Sequence, residues 1–269
     1  MRTKGRIGLG LLAVATLATL YVPLVAVAAL SLNASRYGVA WKGFTLQWYT
    51  RLLSNPVVLR AASNTLVLAA VSTAVATFLG TLLALGLERF PWPRRLKRAV
   101  DALVYVPVVI PDIVFAVGML LAFEVARGVF SSLRLGMLTM IVAHITFEIP
   151  FIALVVGSRL ATVGRTVEEA ARDLYADTSY AMRRVTLPLL LPGMVAGAML
   201  AFTLSLDDFV ISFFTSGPAS VTLPLYIYGA LRRGISPDVH ALSTLVFVVT
   251  VALVLGLELV MRTPKEERQ

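Results

Sequence analysis

The sequence predicts an all-α membrane protein with six transmembrane helices and both termini in the cytoplasm. This prediction rests on the composition, the number of long apolar stretches and the distribution of basic residues. Of the 269 residues, 58% are hydrophobic and only 14% are charged, whereas soluble proteins carry about 25% charged residues. We expect one membrane domain over residues 1–269, surrounded by membrane lipids.

Six apolar stretches are long enough for a bilayer-crossing helix, which needs about 20 residues. Three basic residues precede the first stretch, as in a secretory signal. Its apolar core is longer than that of a signal, and no typical cleavage site follows, so we expect it to be retained. The predicted spans are residues 7–30, 62–87, 102–123, 135–156, 193–214 and 239–261.

The basic residues predict the direction of these spans. The side that holds both termini and the loops 88–98 and 158–192 carries 16 Lys and Arg residues, and the other side carries 8. Since cytoplasmic loops are enriched in Lys and Arg, both termini and the loop 158–192 are expected in the cytoplasm. The same enrichment explains the net charge of +9 without a nucleic acid as partner, and we expect none.

The residue content disfavours enzymatic and metal chemistry. The chain has no cysteine and only two histidines, so we expect no metal site. It lacks the phosphate-binding sequence G-x-x-x-x-G-K-[ST], so ATP and Mg²⁺ are expected on a separate ATPase and no cofactor on this chain. Neither H-E-x-x-H nor G-x-S-x-G occurs, and we therefore predict a protein that is not an enzyme.

The loop 158–192 predicts two short helices outside the membrane. Thr166 and Glu169 fit a capping box, so a helix is expected to begin near residue 167. Ala170, Ala171 and Leu174 give this helix a small apolar face. Such a face can dock closely into a groove of a partner, and the alternative is an amphipathic segment lying on the lipid surface.

The second short helix should begin at a cap formed by Thr178 or Ser179 and run to about Thr186. Pro188 and Pro192 should then break the chain before the fifth span, because proline lacks a backbone N–H group and disfavours a helical residue before it.

This loop resembles that of the permease subunits of ABC importers. Their pattern E-A-A-x-x-x-G, followed after nine residues by I-x-L-P, is matched by Glu169, Ala170 and Ala171 at its start and by Leu187 and Pro188 at its end. The resemblance implies the fold of a type I ABC importer permease. It also implies that the loop couples transport to the ATPase, by docking into a cleft of the ATP-binding subunit.

One position departs from this pattern, because Tyr175 stands where the family has glycine. Glycine would allow a left-handed turn between the two helices, whereas a tyrosine in that conformation costs about 1–2 kcal/mol. Either the turn is built differently, around Asp177, or the tyrosine fills a pocket of the partner.

Asp207 and Asp208 fall inside the fifth predicted span, where each carboxylate costs about 2.5–3.5 kcal/mol on insertion scales. On a continuous helix, Ser205, Asp208 and Ser212 would share one stripe and form a polar strip. Since neighbouring carboxylates repel each other, the strip favours passage of a cationic solute. The alternative is a structural ion pair with an arginine of a partner subunit.

Asp112 lies near the middle of the third predicted span, after Pro107 and Pro111. These prolines should break or kink the helix. Opened backbone groups at membrane depth are tolerated where they line a cavity, so Asp112 is a second candidate for the substrate pathway.

Glu148 on the fourth span shares a helical face with His144. A hydrogen bond between the two is the expected explanation, and the alternatives for Glu148 are a contact with a partner subunit or a further ligand for the cation. Trp48 follows the first span. It belongs either to an interfacial aromatic belt or to a cation–π wall for an ammonium group, and the sequence leaves both readings open.

Beyond the loop, the chain resembles the C-type permeases of spermidine/putrescine importers. The matching stretches are residues 35–49, 111–114, 144–147, 202–208, 216–218 and 235–242. In that branch, the positions of Trp48, Asp112, Glu169, Ser205, Asp207 and Asp208 are associated with polyamine recognition or passage. The resemblance implies a multi-pass protein of the bacterial inner membrane. Its implied partners are a second homologous permease, two copies of an ATP-binding subunit, and a periplasmic or extracellular solute-binding protein.

Two alternatives remain from the sequence. The same kind of importer can carry another cationic solute or a metal complex, because the coupling loop does not determine the cargo. An ion-coupled secondary transporter would often show inverted repeats and would carry no docking loop, so this second alternative is disfavoured.

Overall fold

The computed structural model describes residues 2–35, 40–232 and 237–261, and the regular elements of these residues are helices. The predicted all-α class is therefore confirmed. The elements are α1 (Arg2–Ser31), α2 (Gln47–Ser54), α3 (Pro56–Arg89), α4 (Arg94–Val109), α5 (Asp112–Val129), α6 (Met137–Val163), α7 (Thr166–Asp173), α8 (Thr178–Ala181), a π-helical turn (Met182–Thr186), α9 (Leu187–Asp207), α10 (Val210–Thr215), α11 (Leu223–Arg232) and α12 (Pro237–Met261).

The described residues contain four helices that are long and apolar enough to cross a membrane, or five if the bent pair α4–α5 forms one span. The sixth predicted span contributes a shorter apolar helix, Pro237–Ala252. The count of six spans and the placement of the termini therefore remain predictions. The four long helices are Gly10–Ser31, Pro56–Arg89, Met137–Val163 and Thr178–Asp207.

The third predicted span is broken at one of its two prolines. Helix α4 ends at Val109, Ile110 and Pro111 are extended, and α5 begins at Asp112, so that the two helices meet at 109°. The residue before a proline is driven towards extended conformations, which explains Ile110. Pro107, in contrast, lies inside α4.

Contacts divide the chain into two compact units, Met1–Arg60 with Tyr226–Gln269, and Ala61–Leu225. In the first unit, α12 packs against α1 and α2. Buried Asn33 organises the connection between α1 and α2: its amide accepts hydrogen bonds from the backbone N–H groups of Ser35 and Lys42, and donates one to the carbonyl of Ala40.

In the second unit, α6 is the central helix and packs along α9, with α4 also against it. Its buried Ile152 lies between Gly80 of α3 and Gly197 of α9. A Cβ atom at Gly80 would lie 2.9 Å from the Ile152 Cβ atom, and one at Gly197 would lie 3.7 Å from it. Small residues therefore allow the three helices to approach closely, as is common in membrane proteins.

We predict that Gly80→Ala destabilises the protein by about 1–3 kcal/mol, because the new methyl group overpacks the contact with Ile152. Gly86→Ala is the matched control on the same helix, since a Cβ atom there meets nothing within 4 Å. The control should be neutral or stabilising, because alanine favours helix over glycine. Thermal unfolding of the purified variants in detergent measures both effects, and equal melting temperatures for the two variants would contradict the packing described.

Candidate functional site

The connection between α6 and α9 contains the two short helices that the sequence predicted. Helix α7 has no buried residue, and Glu169 and Ala170 are exposed on it while Ala171 is half-buried. The small apolar face is therefore available to a partner.

The start of α7 differs from the prediction. Thr166 is the first helical residue rather than the cap, Arg165 precedes it, and no side chain caps the helix. The N–H group of Glu169 instead donates to the carbonyl of Arg165 at 2.9 Å. The predicted capping box between Thr166 and Glu169 is therefore wrong, because its two members lie one position too far along the helix.

Tyr175 adopts the left-handed conformation of the family's glycine, with φ of 62°. Its N–H group donates to the carbonyl of Arg172, and the N–H group of Ala176 donates to the carbonyl of Ala171. These two bonds form a Schellman motif, the common end of a helix at a left-handed residue. The side chain of Tyr175 is 99% exposed, so packing within the chain does not offset the backbone strain.

The second short helix is capped by Asp177, rather than by the predicted Thr178 or Ser179. The Asp177 side chain accepts a hydrogen bond of 2.7 Å from the N–H group of Tyr180. The suggestion that the turn is built differently, around Asp177, is therefore wrong: Tyr175 itself makes the left-handed turn and Asp177 only starts the next helix. A pocket of a partner for the tyrosine stays a prediction.

The predicted break before the fifth span does not occur, because α8 continues through the π-helical turn into α9. The N–H group of Leu187 donates to the carbonyl of Met182, five residues earlier. Pro188 stands in the first turn of α9 and Pro192 lies inside that helix. Pro188 therefore lacks an N–H donor within a continuous helix, and the wider turn before it accommodates this change in hydrogen bonding.

Glu168 attaches α7 to the rest of the second unit. Its Oε1 atom accepts hydrogen bonds from Arg89 Nε at 2.9 Å and from the hydroxyl of Thr186 at 3.1 Å. Arg89 also donates to the carbonyl of Gly164. The sequence reasoning missed this role, although the adjacent pair of glutamates is a usable signal: on a helix they point about 100° apart, so one can face inwards while Glu169 faces outwards.

The fifth predicted span is interrupted at its acidic pair. Helix α9 ends at Asp207, Asp208 is extended with ψ of 124°, and α10 begins at Val210. The prediction of one continuous stripe through Ser205, Asp208 and Ser212 is therefore wrong. The three side chains nevertheless converge, because all of them reach His144 of α6.

His144 makes hydrogen bonds on both sides of this interruption. Its Nδ1 atom lies 2.8 Å from Ser205 Oγ on α9. Its Nε2 atom lies 3.2 Å from Ser212 Oγ on α10 and 3.3 Å from Asp208 Oδ2. We call Ser72, His144, Glu148, Ser205, Asp208 and Ser212 the His144 cluster.

Glu148 joins this cluster through serines. Ser72 of α3 donates to Glu148 Oε1 at 2.8 Å, and Ser72 Oγ lies 3.3 Å from Ser205 Oγ. The Glu148 Oε1 atom is 3.8 Å from His144 Nδ1, which is too long for a hydrogen bond. The expected direct bond between His144 and Glu148 is therefore wrong, because Ser205 occupies the donor–acceptor position at Nδ1.

The two adjacent aspartates differ in their surroundings. Asp208 accepts hydrogen bonds from the N–H groups of Ile211 and Ser212, at 3.1 and 2.8 Å, and its side chain is only 11% exposed. Asp207, in contrast, is exposed. The structure thus engages Asp208 within the chain and leaves Asp207 accessible.

Asp112 is the exposed first residue of α5, directly after the bend at Pro111. Among the described residues, no hydrogen bond or ion pair joins it to the His144 cluster. Asp112 and Asp207 therefore share one property, since each is an exposed carboxylate at a place where a predicted span is interrupted.

Trp48 lies in the core of the first unit and is 3% exposed. Its Nε1 atom donates to the carbonyl of Asn33 at 2.8 Å, and the guanidinium of Arg51 lies 5.1 Å from the centroid of its ring. Both the polar edge and one face of the ring are thus engaged within the chain. A contact between Trp48 and cargo stays a prediction.

The chain is similar to known transport proteins along most of its length. Residues 76–262 match the family described as "Binding-protein-dependent transport system inner membrane component". The spermidine/putrescine transport system permease protein PotC of Escherichia coli is 38% identical over 96% of this chain and 95% of its own. The putrescine permease PotI of E. coli is 37% identical over 84% and 81%, and the molybdenum permease ModB of Mycobacterium bovis is 33% identical over 88% and 91%.

Solved structures share the fold. A bacterial ABC transporter that imports the acidic polysaccharide alginate superposes with a TM-score of 0.73, at 20% identity, over 99% of this chain and all of the matched chain. A second structure of an alginate transporter, in complex with an alginate-bound periplasmic protein, superposes with a TM-score of 0.69 at 18% identity, over 96% and 95%.

We predict that Glu168→Gln loosens α7, because an uncharged amide bonds more weakly to Arg89 than a carboxylate does. The charge-assisted part of such a bond contributes about 1 kcal/mol, so hydrogen exchange over residues 166–173 should accelerate about fivefold. Glu169→Gln is the matched control, since Glu169 is exposed and should leave the exchange unchanged. Exchange measured by mass spectrometry tests this, and equal acceleration in both variants would contradict the assigned role.

We predict that Tyr175→Gly stabilises the connection between α7 and α8 by about 0.5–1 kcal/mol, because glycine adopts positive φ without strain. Tyr180→Gly serves as control: Tyr180 is also exposed but lies in a helix, so glycine there should destabilise. The rate of limited proteolysis between residues 166 and 186 reports both effects. Faster cleavage of Tyr175→Gly than of the parent would show that the strain is compensated inside the chain.

Proposed function

The chain belongs to the family of binding-protein-dependent transport system inner membrane components, and from this premise we propose that it forms the polyamine pathway of an ATP-driven importer. It is a transport subunit and not itself an enzyme. The observation that carries the proposal is the 38% identity to a spermidine/putrescine permease along 96% of the chain. The exposed carboxylates Asp112 and Asp207 support a cationic cargo, because charged groups in apolar segments are costly and commonly line a pathway.

In this proposal the chain crosses the bacterial inner membrane six times, with both termini in the cytoplasm. It pairs with a second homologous permease and binds two copies of an ATP-binding subunit, which hold the ATP and Mg²⁺. A periplasmic or extracellular solute-binding protein delivers the polyamine. The fold shared with solved ABC transporters supports such an assembly.

The coupling surface consists of the exposed side of α7 and the turn after it. Glu169, Ala170, Ala171 and Tyr175 contact the ATP-binding subunit, and its closure on ATP moves α7 and α8. Because Glu168 binds Arg89 and Thr186, α7 moves together with the end of α3 and with the π-helical turn.

One continuous helix connects the moving α8 to the acidic pair Asp207 and Asp208. The helix from Thr178 to Asp207 is unbroken over 30 residues, which corresponds to roughly 45 Å at 1.5 Å per residue. Leu187 and Pro188 lie at the start of α9, directly after the π-helical turn. A displacement at the coupling surface therefore reaches Asp207 without passing through a flexible loop.

Cargo meets the exposed carboxylates directly. Asp207 and Asp112 bind the ammonium groups of the polyamine, while Asp208 and Ser205 shape the site from within the His144 cluster. In this proposal Trp48 belongs to the same pathway, as the resemblance to polyamine permeases implies. Its burial favours a supporting role within the first unit over direct contact with cargo.

A different cargo is the alternative, namely another cationic solute or a metal complex. The 33% identity to a molybdenum permease shows that related chains serve unlike solutes. The ion-coupled secondary transporter is set aside, because the family depends on binding proteins.

Reconstitution tests the proposal. The chain is co-expressed with its genomic neighbours, the complex is placed in liposomes, and ATPase activity is measured with the binding protein and spermidine. Stimulation of the ATPase by spermidine, but not by sugars or anions, supports both the ATP-driven importer and the polyamine as its cargo. If only another solute stimulates the ATPase, the chain is still part of an importer, but a polyamine is not its cargo.

We predict that Asp207→Asn lowers spermidine uptake about tenfold or more, because it removes a charged partner of the ammonium group worth about 1.5–3 kcal/mol. Glu124→Gln is the control, since it removes a carboxylate that is paired with Arg127 on the surface of α5 and should leave uptake unchanged. Initial rates of radiolabelled spermidine uptake, corrected for the amount of assembled complex, measure the effect. Wild-type rates of spermidine uptake in the Asp207→Asn variant would contradict the proposal that this carboxylate binds the cargo.

A further inference from the structure

We propose that the start of α4 binds the headgroup of an anionic phospholipid, with Arg94 and Arg98 as the pair that contacts the phosphate and Arg95 beside them. The partner is a lipid of the surrounding membrane. The inference goes beyond the proposed function, since lipid binding at these arginines does not depend on which solute the transporter carries.

The place of this segment along the chain is the first argument. Helix α3 is long and apolar enough to cross a membrane and ends at Arg89, so the turn after it lies where the chain leaves the apolar layer. Phe90 in this turn is exposed, and its ring lies 5.2 Å from that of Trp92. The Trp92 Nε1 atom donates to the carbonyl of Gly86 at 2.8 Å, which holds this aromatic pair at the end of α3. Tryptophan is enriched at membrane–water interfaces.

The charges at the start of α4 are the second argument. Arg94, Arg95 and Arg98 are exposed, and within the described part of the chain no hydrogen bond or ion pair engages their guanidinium groups. The fourth basic residue, Lys97, is turned towards α3 instead, where its Nζ atom lies 3.4 Å from Glu88 Oε1. Arg94 and Arg98 are one helical turn apart and therefore lie on one face of α4.

The helix end adds to this unbalanced positive charge. The first turn of α4 contains no acidic residue, and no side chain caps it. Since the N-terminal end of a helix is itself partly positive, arginines there are unfavourable unless an anion lies close to them. A phosphate group supplies the missing negative charge, and arginine binds phosphate strongly through two parallel N–H donors.

The remainder of α4 favours a lipid over a soluble phosphate. After Arg98 the exposed side chains of the helix are apolar or aromatic, and Leu103, Val106 and Val109 are among them. A phospholipid has both a charged headgroup and apolar acyl chains, so one molecule can contact the arginines and these side chains together. A soluble anion would contact the arginines alone. A helix with basic residues and exposed apolar residues is typical of contact with an anionic lipid surface.

The site lies next to the residues that attach α7. Arg165 Nη2 donates to the carbonyl of Glu88 at 2.7 Å, and Arg89 bonds Glu168 of α7. A bound lipid therefore restrains the end of α3 to which the proposed coupling surface is joined. This consequence rests on the proposed function, whereas the binding of the lipid does not.

Native mass spectrometry of the purified transporter measures the binding. Phosphatidylglycerol is titrated in parallel with phosphatidylcholine that has the same acyl chains. One basic residue near an anionic lipid contributes roughly a fivefold gain in affinity. We therefore expect Arg94→Gln combined with Arg98→Gln to lower the preference for phosphatidylglycerol about tenfold or more. The matched control is Arg60→Gln combined with Arg134→Gln, which removes two other exposed arginines and should keep the wild-type preference.

The outcomes either support the inference or reject it. Loss of the preference in the first pair alone supports the site. A wild-type transporter that binds both lipids equally rejects it, and this result needs no variant to fold. Equal losses in both pairs show a general effect of net charge, and displacement of the lipid by soluble glycerol phosphate at equal concentration shows a site for a soluble anion. Both results reject the inference.

The measurement is independent of transport. Absence of spermidine uptake by the wild-type transporter would reject the proposed function and would leave the lipid site standing. Loss of the preference for phosphatidylglycerol would not follow from it, because no cargo is present during the titration.

Discussion

A helix that begins in apolar surroundings leaves backbone N–H groups without partners, and the rest of the second unit depends on how this constraint is met at Asp208. The carboxylate accepts the N–H groups at the start of α10, and His144 holds the same carboxylate from α6. Ser72 and Ser205 extend the network to α3 and α9. Four helices are thereby fixed around one interruption, which lets Asp207 project from it as an exposed charge.

The exposed turn at Tyr175 and this interruption lie at the two ends of one continuous helix. The unbroken helix from Thr178 to Asp207 begins beside the exposed turn at Tyr175 and ends at the acidic pair. The ion pair between Glu168 and Arg89 ties the loop to α3, and α3 in turn contributes Ser72 to the His144 cluster. Two helices therefore connect the segment between α6 and α9 to the polar cluster, and both are packed against α6 through small residues.

The sequence predicted the all-α class and the presence of two short helices between α6 and α9, because both depend on local patterns. Long apolar stretches identify membrane helices, and the spacing from Glu169 to Pro188 identifies the loop even where Tyr175 replaces glycine. Two mistakes concerned helix continuity. Pro188 was expected to break a helix that in fact continues, and Asp208 was placed on a helix that in fact ends. Both outcomes depend on hydrogen bonds of neighbouring residues, namely the bond from Leu187 to Met182 in the first case and those from Ile211 and Ser212 to Asp208 in the second.

The His144 cluster was beyond prediction for a related reason. His144 and Glu148 were correctly placed on one face, but their partners Ser72, Ser205 and Ser212 come from three other helices, and serines are too common to signal a site. Periodicity along one helix contains no information about which hydroxyl occupies the space between two side chains. Trp48 illustrates the same limit, since its burial depends on the carbonyl of Asn33 and on Arg51.

The π-helical turn at Met182–Thr186 has a consequence for the phase of α9. A π turn holds about one residue more than an α turn, and one residue corresponds to about 100° of rotation around a helix axis. The extra residue therefore determines the direction, around the axis of α9, in which each later side chain points. Ser205, which points towards His144, is one of them. The fixed spacing between the E-A-A and L-P parts of the loop spans this turn, so the length of the motif also determines how α9 is rotated about its axis. Insertion or loss of a single residue there would leave α9 helical and apolar, yet would turn its polar face away from the cluster.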